Sequence, residues 1–203
     1  MNLLVKRVFF IGITYSIFSL VLLLGAGSFV TVSAQQKIIA STVLEPQDTF
    51  PVPQNVPNQL FYLQRTANTN TVVYALNTKT DGSLDIDDPL KAFWIRYPEG
   101  GVKKDLSFIQ RKFAYGISNK KNADGTYTAN IVAYKKRNLT LMKSVLDNKY
   151  HIYCQINNRY AILNRIFIRI DPGGSLFKPN VIYIELKGTD MSNGSVLMER
   201  IKP

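Results

Sequence analysis

The chain contains one cysteine and one histidine, Cys154 and His151, which lie three residues apart. An imidazole beside a thiol is the pair that activates a cysteine nucleophile, because the imidazole lowers the pKa of the thiol. In 149–156, however, apolar side chains occupy the even positions, as in a β-strand. Residues three apart on a strand point to opposite faces. We therefore expect a buried Cys154 and a surface His151. With no Gly-x-Ser-x-Gly motif or complete triad either, the sequence identifies no catalytic residue.

The segment 77–88 is similar to a calcium-binding loop. Asp81 and Gly82 match its fifth and sixth positions, and Asp85 its ninth. Lys79, however, places a cation where the third ligand belongs. We therefore predict an Asp-Gly turn between two strands and no metal site. A lone cysteine and a lone histidine also exclude Cys-rich and His-rich zinc sites, and no cofactor is predicted.

The densest aromatic cluster is 93–97, which reads Phe-Trp-Ile-Arg-Tyr. Alternation along a strand puts Trp94 and Arg96 on one face, where an indole and a guanidinium can stack on a sugar or hold an anion. Arg111 and Lys112 lie on the flank of a predicted helix that can pack nearby. These four residues are the predicted ligand-binding set. The alternative is that other elements cover this face, so that Trp94 belongs to the core.

Short strands must position these side chains. Runs rich in Val, Ile, Tyr and Phe alternate with Asp-Gly, Asn-Asn, Gly-Gly and Asn-Gly turns, which predicts a mainly β fold, an antiparallel sandwich or barrel. The stripe Leu106, Ile109 and Phe113 predicts one amphipathic helix over 105–117. The predicted strands are 59–65, 71–77, 91–97, 127–136, 139–143, 149–156, 160–170, 181–187 and 196–201.

One hairpin has a predicted register. The strand 160–170 carries its apolar side chains on even positions, with Asn164 as the exception. A three-residue loop, 157–159, would pair Cys154 with Ile162 and keep the apolar sets of both strands on one face, whereas a two-residue loop would separate them. We therefore predict the three-residue loop.

The N-terminus predicts export. Lys6 and Arg7 precede an apolar run over 8–24, and Val32-Ser33-Ala34 follows with small residues. This pattern is typical of a signal peptide, 1–34, cleaved after Ala34, and an uncleaved membrane anchor is the alternative. The predicted organisation continues with a Pro-punctuated extended lead-in, 35–57, and a single β-rich domain, 58–203. The mature protein is expected in the periplasm or outside the cell, without a membrane span.

The chain is basic, with a formal net charge of +11. Outside the cytoplasm this charge favours an anionic glycan or a lipid surface as partner, and nucleic acid is not expected. The alternative is that the lysines and arginines, which occur as scattered pairs, only solvate the surface. The sequence does not indicate an oligomeric state.

Several segments together resemble a known family, the domain-of-unknown-function family 4833. The resemblance includes Phe93-Trp94-Ile95-Arg96-Tyr97 and spans about 50–203. It implies an exported bacterial protein and supplies no activity, cofactor or catalytic residue. The segments that carry it are 50–53, 58–65, 93–97, 110–116, 133–137 and 183–186.

Three functional hypotheses follow. The first is a non-catalytic binding or envelope-associated module for an anionic or glycan ligand. The second is a hydrolase or transferase that acts on envelope glycans through two carboxylates. The third is a structural component that assembles by strand addition at a sheet edge. The carboxylates available to the second are Asp85, Asp87, Asp88, Asp105 and Glu185.

Overall fold

A computed structural model describes residues 50–66, 68–175 and 178–203. The predicted signal peptide, its cleavage site and the lead-in before residue 50 lie outside the described residues. The described part contains eleven strands, one short helix and a 3-10 turn at Tyr97–Glu99. The predicted mainly β fold with one helix is confirmed. The elements are β1 Gln59–Arg65, β2 Asn68–Leu76, β3 Leu90–Arg96, β4 Val102–Asp105, α1 Phe108–Phe113, β5 Ile117–Lys121, β6 Tyr127–Ile131, β7 Tyr134–Lys143, β8 Tyr150–Ile156, β9 Arg159–Asp171, β10 Asn180–Asp190 and β11 Val196–Ile201.

The strands form one mixed, strongly curled half-barrel sheet in the order β4-β3-β2-β1-β9-β8-β7-β6-β5. The long strand β9 organises it, because β8 pairs with its first residues and β1 with Arg165–Ile168 further along. Strand β10 pairs along the opposite edge of β9, and β11 pairs with β10. The β1–β9 pair is parallel, so the sheet is mixed rather than wholly antiparallel. Two branches thus leave one edge of β9, and side chains from both branches pack in one core.

The predicted register of the β8–β9 hairpin is wrong. Cys154 pairs with Ala161, and a two-residue turn, Asn157-Asn158, joins the strands. Both turn residues have positive φ, 50° and 59°, which is the geometry of the favoured two-residue hairpin turn and one that Asn tolerates.

A bulge in β9 explains the error. Against β10, Leu163 pairs with Gly188 and Arg165 with Lys187, which leaves Asn164 as an extra residue. A bulge shifts the alternation by one position. Before it the odd residues Ala161 and Leu163 are buried, and after it the even residue Ile166 is buried. Before the bulge, the buried side chains of β9 occupy odd positions, whereas those of β8 occupy even positions. A two-residue turn places these two sets on the same face of the sheet.

The helix is shorter than predicted. The segment 105–117 contains only α1, and its ends belong to β4 and β5. Ser107 begins the helix through a capping box with Gln110, so Leu106 lies before the first turn. Leu106 is buried, but Ile109 and Phe113 are 57% and 56% exposed. The predicted core-facing stripe is therefore wrong beyond Leu106. Among the described residues, no helix has the length and apolar character needed to cross a bilayer.

Candidate functional site

The concave side of the half-barrel encloses a cavity of about 1030 Å³. Residues from β1, β2, β3, β4, β9 and β10 line it, together with residues from α1 and the β6–β7 hairpin. The volume is at the upper end of the range of roughly 300–1,000 Å³ that is typical of small-molecule sites. The cavity is therefore large enough for a small organic ligand.

The floor of the cavity is a row of apolar side chains across five neighbouring strands. Strand pairing aligns the row: Trp94 lies opposite Val72, Val72 opposite Leu63, Leu63 opposite Ile166, and Ile166 opposite Leu186. All five are buried, and all except Val72 line the cavity. Polar residues are absent from this row, so it offers a ligand only dispersion and the hydrophobic effect.

Three cationic side chains line the edge of the cavity. We call Arg65, Arg96 and Lys104 the cationic rim. Arg65 is the last residue of β1, two positions beyond Leu63, and pairs with Ile168. Arg96 is two positions beyond Trp94 on β3, and Lys104 lies opposite Trp94 on β4. All three line the cavity, together with Asp105. The rim therefore carries a positive excess next to an apolar floor.

Two atoms of cavity-lining residues are buried without a hydrogen-bond partner among the described residues: Arg65 Nε, a donor, and Asn70 Oδ1, an acceptor. Both residues line the cavity. The Arg65 guanidinium lies 6.0 Å from the centroid of the Tyr115 ring. A buried polar group without a partner costs about 1–3 kcal/mol, and more when it is charged. A ligand acceptor recovers this cost only if the Arg65 side chain turns, because Nε has no surface open to the cavity in this conformation.

Helix α1 is held against the cavity by its polar and aromatic neighbours. Trp94 Nε1 donates to Gln110 Oε1 at 3.2 Å, and the Trp94 and Tyr115 rings meet edge to face at 5.0 Å. The Tyr74 hydroxyl donates to the Tyr115 carbonyl oxygen at 2.9 Å. Burial raises the pKa of Tyr115, with a smaller opposing effect from Arg65. Trp94 is thus both a core residue and part of the cavity floor.

The structure divides the four predicted ligand-binding residues into two pairs. Trp94 and Arg96 line the cavity, and Arg96 also pairs with Glu99 at 2.8 Å. Arg111 and Lys112 do not line it. Arg111 Nη2 donates to the Leu106 carbonyl oxygen, and Lys112 lies over the rings of Phe108 and Phe113.

The sequence reasoning missed Arg65. A signal was present, because Arg65 continues the odd positions of β1, whose residues Phe61 and Leu63 are buried. An arginine in the inward phase of an apolar strand indicates a cation at the end of the core. Whether the Arg65 side chain lines a cavity depends on β9 and α1. Both elements are far from β1 in sequence.

Cys154 and His151 lie on opposite faces of β8, as predicted. Cys154 is buried in the core, whereas His151 lies edge-on to Tyr153, with its Nε2 2.8 Å from Asp147 Oδ2. Burial raises the pKa of the Cys154 thiol to about 11. The thiol is 3% exposed, and the His151 imidazole on the other face of β8 cannot serve as its base.

Alkylation of Cys154 in the folded protein is therefore expected to stay slow from pH 7 to pH 9. The thiolate is the reactive form, and the folded thiol, with a pKa of about 11, releases its proton only as the pH approaches that value. Iodoacetamide labelling followed by mass spectrometry measures the rate. The urea-unfolded chain is the control and should react at least tenfold faster at pH 8. Equal rates in both states would contradict a buried thiol.

The segment 77–88 forms the predicted Asp-Gly turn, with a bridge between Thr78 and Leu84 and a φ of 82° at Gly82. Asp81 Oδ1 accepts from the backbone nitrogen and the hydroxyl of Ser83, which lowers the pKa of Asp81. In the described part of the chain, no three His, Cys, Asp or Glu residues are placed to hold a metal ion. The expected lack of a calcium response stays a prediction.

The carboxylates of the hydrolase hypothesis are dispersed. Asp105 is the one of the five that lines the cavity. Glu185 points to the opposite face from its neighbour Leu186, and Arg200 and Arg165 lie 2.9 Å and 3.8 Å from its carboxylate. The other three belong to the β2–β3 loop. The structure therefore does not bring two of these five carboxylates together in the cavity.

The sheet edges bear on the assembly hypothesis. Strand β4 is an edge strand of only four residues, all exposed, with Lys103 and Lys104 at its centre. Short edge strands with lysines discourage pairing with another chain. The described edge at β4 thus gives no support to strand addition.

Fold and site together define a mainly β half-barrel domain around an apolar cavity with a cationic rim. A family model described as a domain of unknown function (DUF4833) matches residues 61–200, and the chain belongs to this family. No curated protein and no solved structure matches the chain.

Proposed function

We propose that the domain binds a small single-chain amphiphile with an anionic head, such as a long-chain carboxylate. The observation that carries this proposal is the position of the Arg65 guanidinium, which lines an apolar cavity and whose Nε has no hydrogen-bond partner among the described residues. The head would accept from Arg65, and the aliphatic chain would lie on the floor formed by Leu63, Trp94 and Ile166. A carboxylate suits a guanidinium because the two can form parallel charge-assisted hydrogen bonds.

The apolar floor supports an aliphatic ligand over a glycan. Each methylene group removed from water contributes about 0.8 kcal/mol, so a chain gains affinity along the whole floor. A sugar carries hydroxyl groups on every side, and each one buried without a partner costs free energy. Leu63, Ile166 and Leu186 offer a sugar no polar partners.

The fluorescence of Trp94 tests this function, because it is the only tryptophan in the chain and lines the cavity. The probe is dodecanoate, titrated below the concentration at which it forms micelles. Dodecanol is the control without charge, and acetate the control without a chain. Calorimetry of the same titrations detects binding that leaves the emission unchanged.

We expect saturable binding of dodecanoate, weaker binding of dodecanol and no binding of acetate. We expect this order of affinities because only dodecanoate offers both a hydrogen-bond acceptor to Arg65 and an aliphatic chain to the apolar floor. No saturable signal with dodecanoate by either method would refute the proposal. Equal affinity for dodecanoate and acetate would also refute it, because charge alone would then explain the binding.

We further propose that the protein acts outside the cytoplasm. The support is the sequence pattern at 1–34, a basic start, an apolar run and small residues before position 35. We expect the mature protein to begin at Gln35, and mass spectrometry of the exported protein measures its N-terminus. Protein held on the membrane with an intact Met1 would support the anchor instead.

A further inference from the structure

Helix α1 presents an apolar and cationic surface at the mouth of the cavity, formed by Phe108, Ile109, Lys112 and Phe113. We call these four residues the mouth patch. The three apolar side chains are 73%, 57% and 56% exposed. Residues four apart on a helix are neighbours, which joins Phe108 to Lys112 and Ile109 to Phe113. The Lys112 ammonium lies 5.5 Å and 5.4 Å from the centroids of the Phe108 and Phe113 rings.

The opposite side of α1 fixes the direction in which the patch points. Gln110 accepts from the indole of Trp94, and Arg111 reaches the Leu106 carbonyl oxygen. These contacts hold the helix on the domain and leave its apolar residues outside. Large exposed apolar side chains grouped together are unusual on a soluble domain and mark interaction sites.

Charge identifies the kind of partner. The mouth patch contains the cation Lys112, helix α1 has no acidic residue, and Lys104 lies on the neighbouring edge strand. Aromatic and aliphatic side chains mixed with lysine and arginine are typical of segments that lie in the interface of an anionic membrane. A protein partner would match the apolar area equally well, but the cations favour an anionic surface.

We propose that the mouth patch docks the domain on an anionic phospholipid bilayer, with the cavity open toward the lipid. Ile109 and Phe113 belong to both the patch and the cavity lining, so docking would place the cavity entrance at the membrane interface. This surface does not depend on the proposed ligand, and the two proposals can fail separately.

The test uses the full chain with one environment-sensitive dye, placed by Phe108→Cys. Cys154 is buried, so the dye reacts with the new cysteine. The matched control is Ile86→Cys, at a residue that is 50% exposed between Asp85 and Asp87. Each labelled protein is mixed with vesicles of pure phosphatidylcholine or of phosphatidylcholine with phosphatidylglycerol. Spin-labelled lipids that quench the dye report its entry into the bilayer.

We expect the dye at position 108 to shift to the blue and be quenched on the anionic vesicles, and the dye at 86 to stay in water. Adding Lys112→Glu to the Phe108→Cys chain should raise the lipid concentration for half-maximal binding about tenfold, because a cation becomes an anion. An apolar N-terminal segment that binds lipid would not distinguish position 108 from 86. Equal responses at both positions, or no response at 108 on anionic vesicles, would overturn the proposal.

Discussion

Gly188→Ala is expected to lower the free energy of unfolding by about 3 kcal/mol, at the upper end of the usual cost of overpacking. A β-carbon at Gly188 would lie 2.5 Å from the carbonyl oxygen of Ile162 and 2.7 Å from Cδ1 of Ile156. The first of these neighbours is backbone in the paired strand β9, so it moves only if the strand pairing changes. Urea unfolding followed by circular dichroism measures the loss, which corresponds to a fall in Tm of roughly 6–12 °C.

Gly125→Ala is the matched control for this prediction. Gly125 has a φ of 84°, and a β-carbon at this position would meet nothing within 4 Å, so its substitution adds backbone strain without a clash. That strain costs about 1–2 kcal/mol. A loss at Gly188 no larger than the loss at Gly125 would mean that the close approach of β9 and β10 is not important for stability.

The β8–β9 hairpin shows which features local periodicity predicts and which it does not. Alternation correctly indicated the strand 149–156 and the opposite faces of Cys154 and His151. It failed in β9, because Asn164 looked like one polar exception in a continuous even pattern. The bulge at Asn164 is defined by the pairing of Leu163 with Gly188 and of Arg165 with Lys187. These partners lie far later in the chain, so a local pattern carries no information about them. The predicted register of the hairpin was wrong for this reason.

The helix error has a related cause. Leu106, Ile109 and Phe113 have helical spacing, and spacing alone predicts that all three face the core. Ser107 instead starts the helix at Phe108 through its capping box, and the preceding residues pair with β3 as strand β4. The sequence therefore predicted the existence of the helix but not its length or the exposure of its apolar side.

The candidate site was predictable only in part. Trp94 and Arg96 share a face by strand alternation, which the sequence shows directly. The apolar floor depends on the parallel pairing of β1 with β9, in which Leu63 lies opposite Ile166. Parallel pairing of distant segments leaves no short-range turn signal. Arg65 could therefore be assigned to the inward phase of its strand, but not to a cavity.

Arg65→Met is expected to weaken dodecanoate binding about 10–100-fold and to leave dodecanol binding nearly unchanged. This prediction depends on the proposed function. A hydrogen bond to a charged group contributes about 1.5–3 kcal/mol, which corresponds to that change in affinity. Methionine is an unbranched side chain of similar length, so it fills the same position at the rim without the charge. Titration followed by Trp94 fluorescence measures both affinities.

Lys120→Met is the matched control, because it removes one positive charge from an exposed position on β5 that does not line the cavity. An exposed charge is screened by salt over a Debye length of about 8 Å at physiological ionic strength, so we expect less than a twofold change in dodecanoate affinity. The difference between the variants separates a specific contact from net charge. Arg65→Met also removes a buried donor that has no partner in the described part of the chain, so it should not destabilise the free domain, and unfolding in urea checks this. Equal losses of dodecanoate and dodecanol binding would show that Arg65 shapes the cavity rather than binds the anionic head.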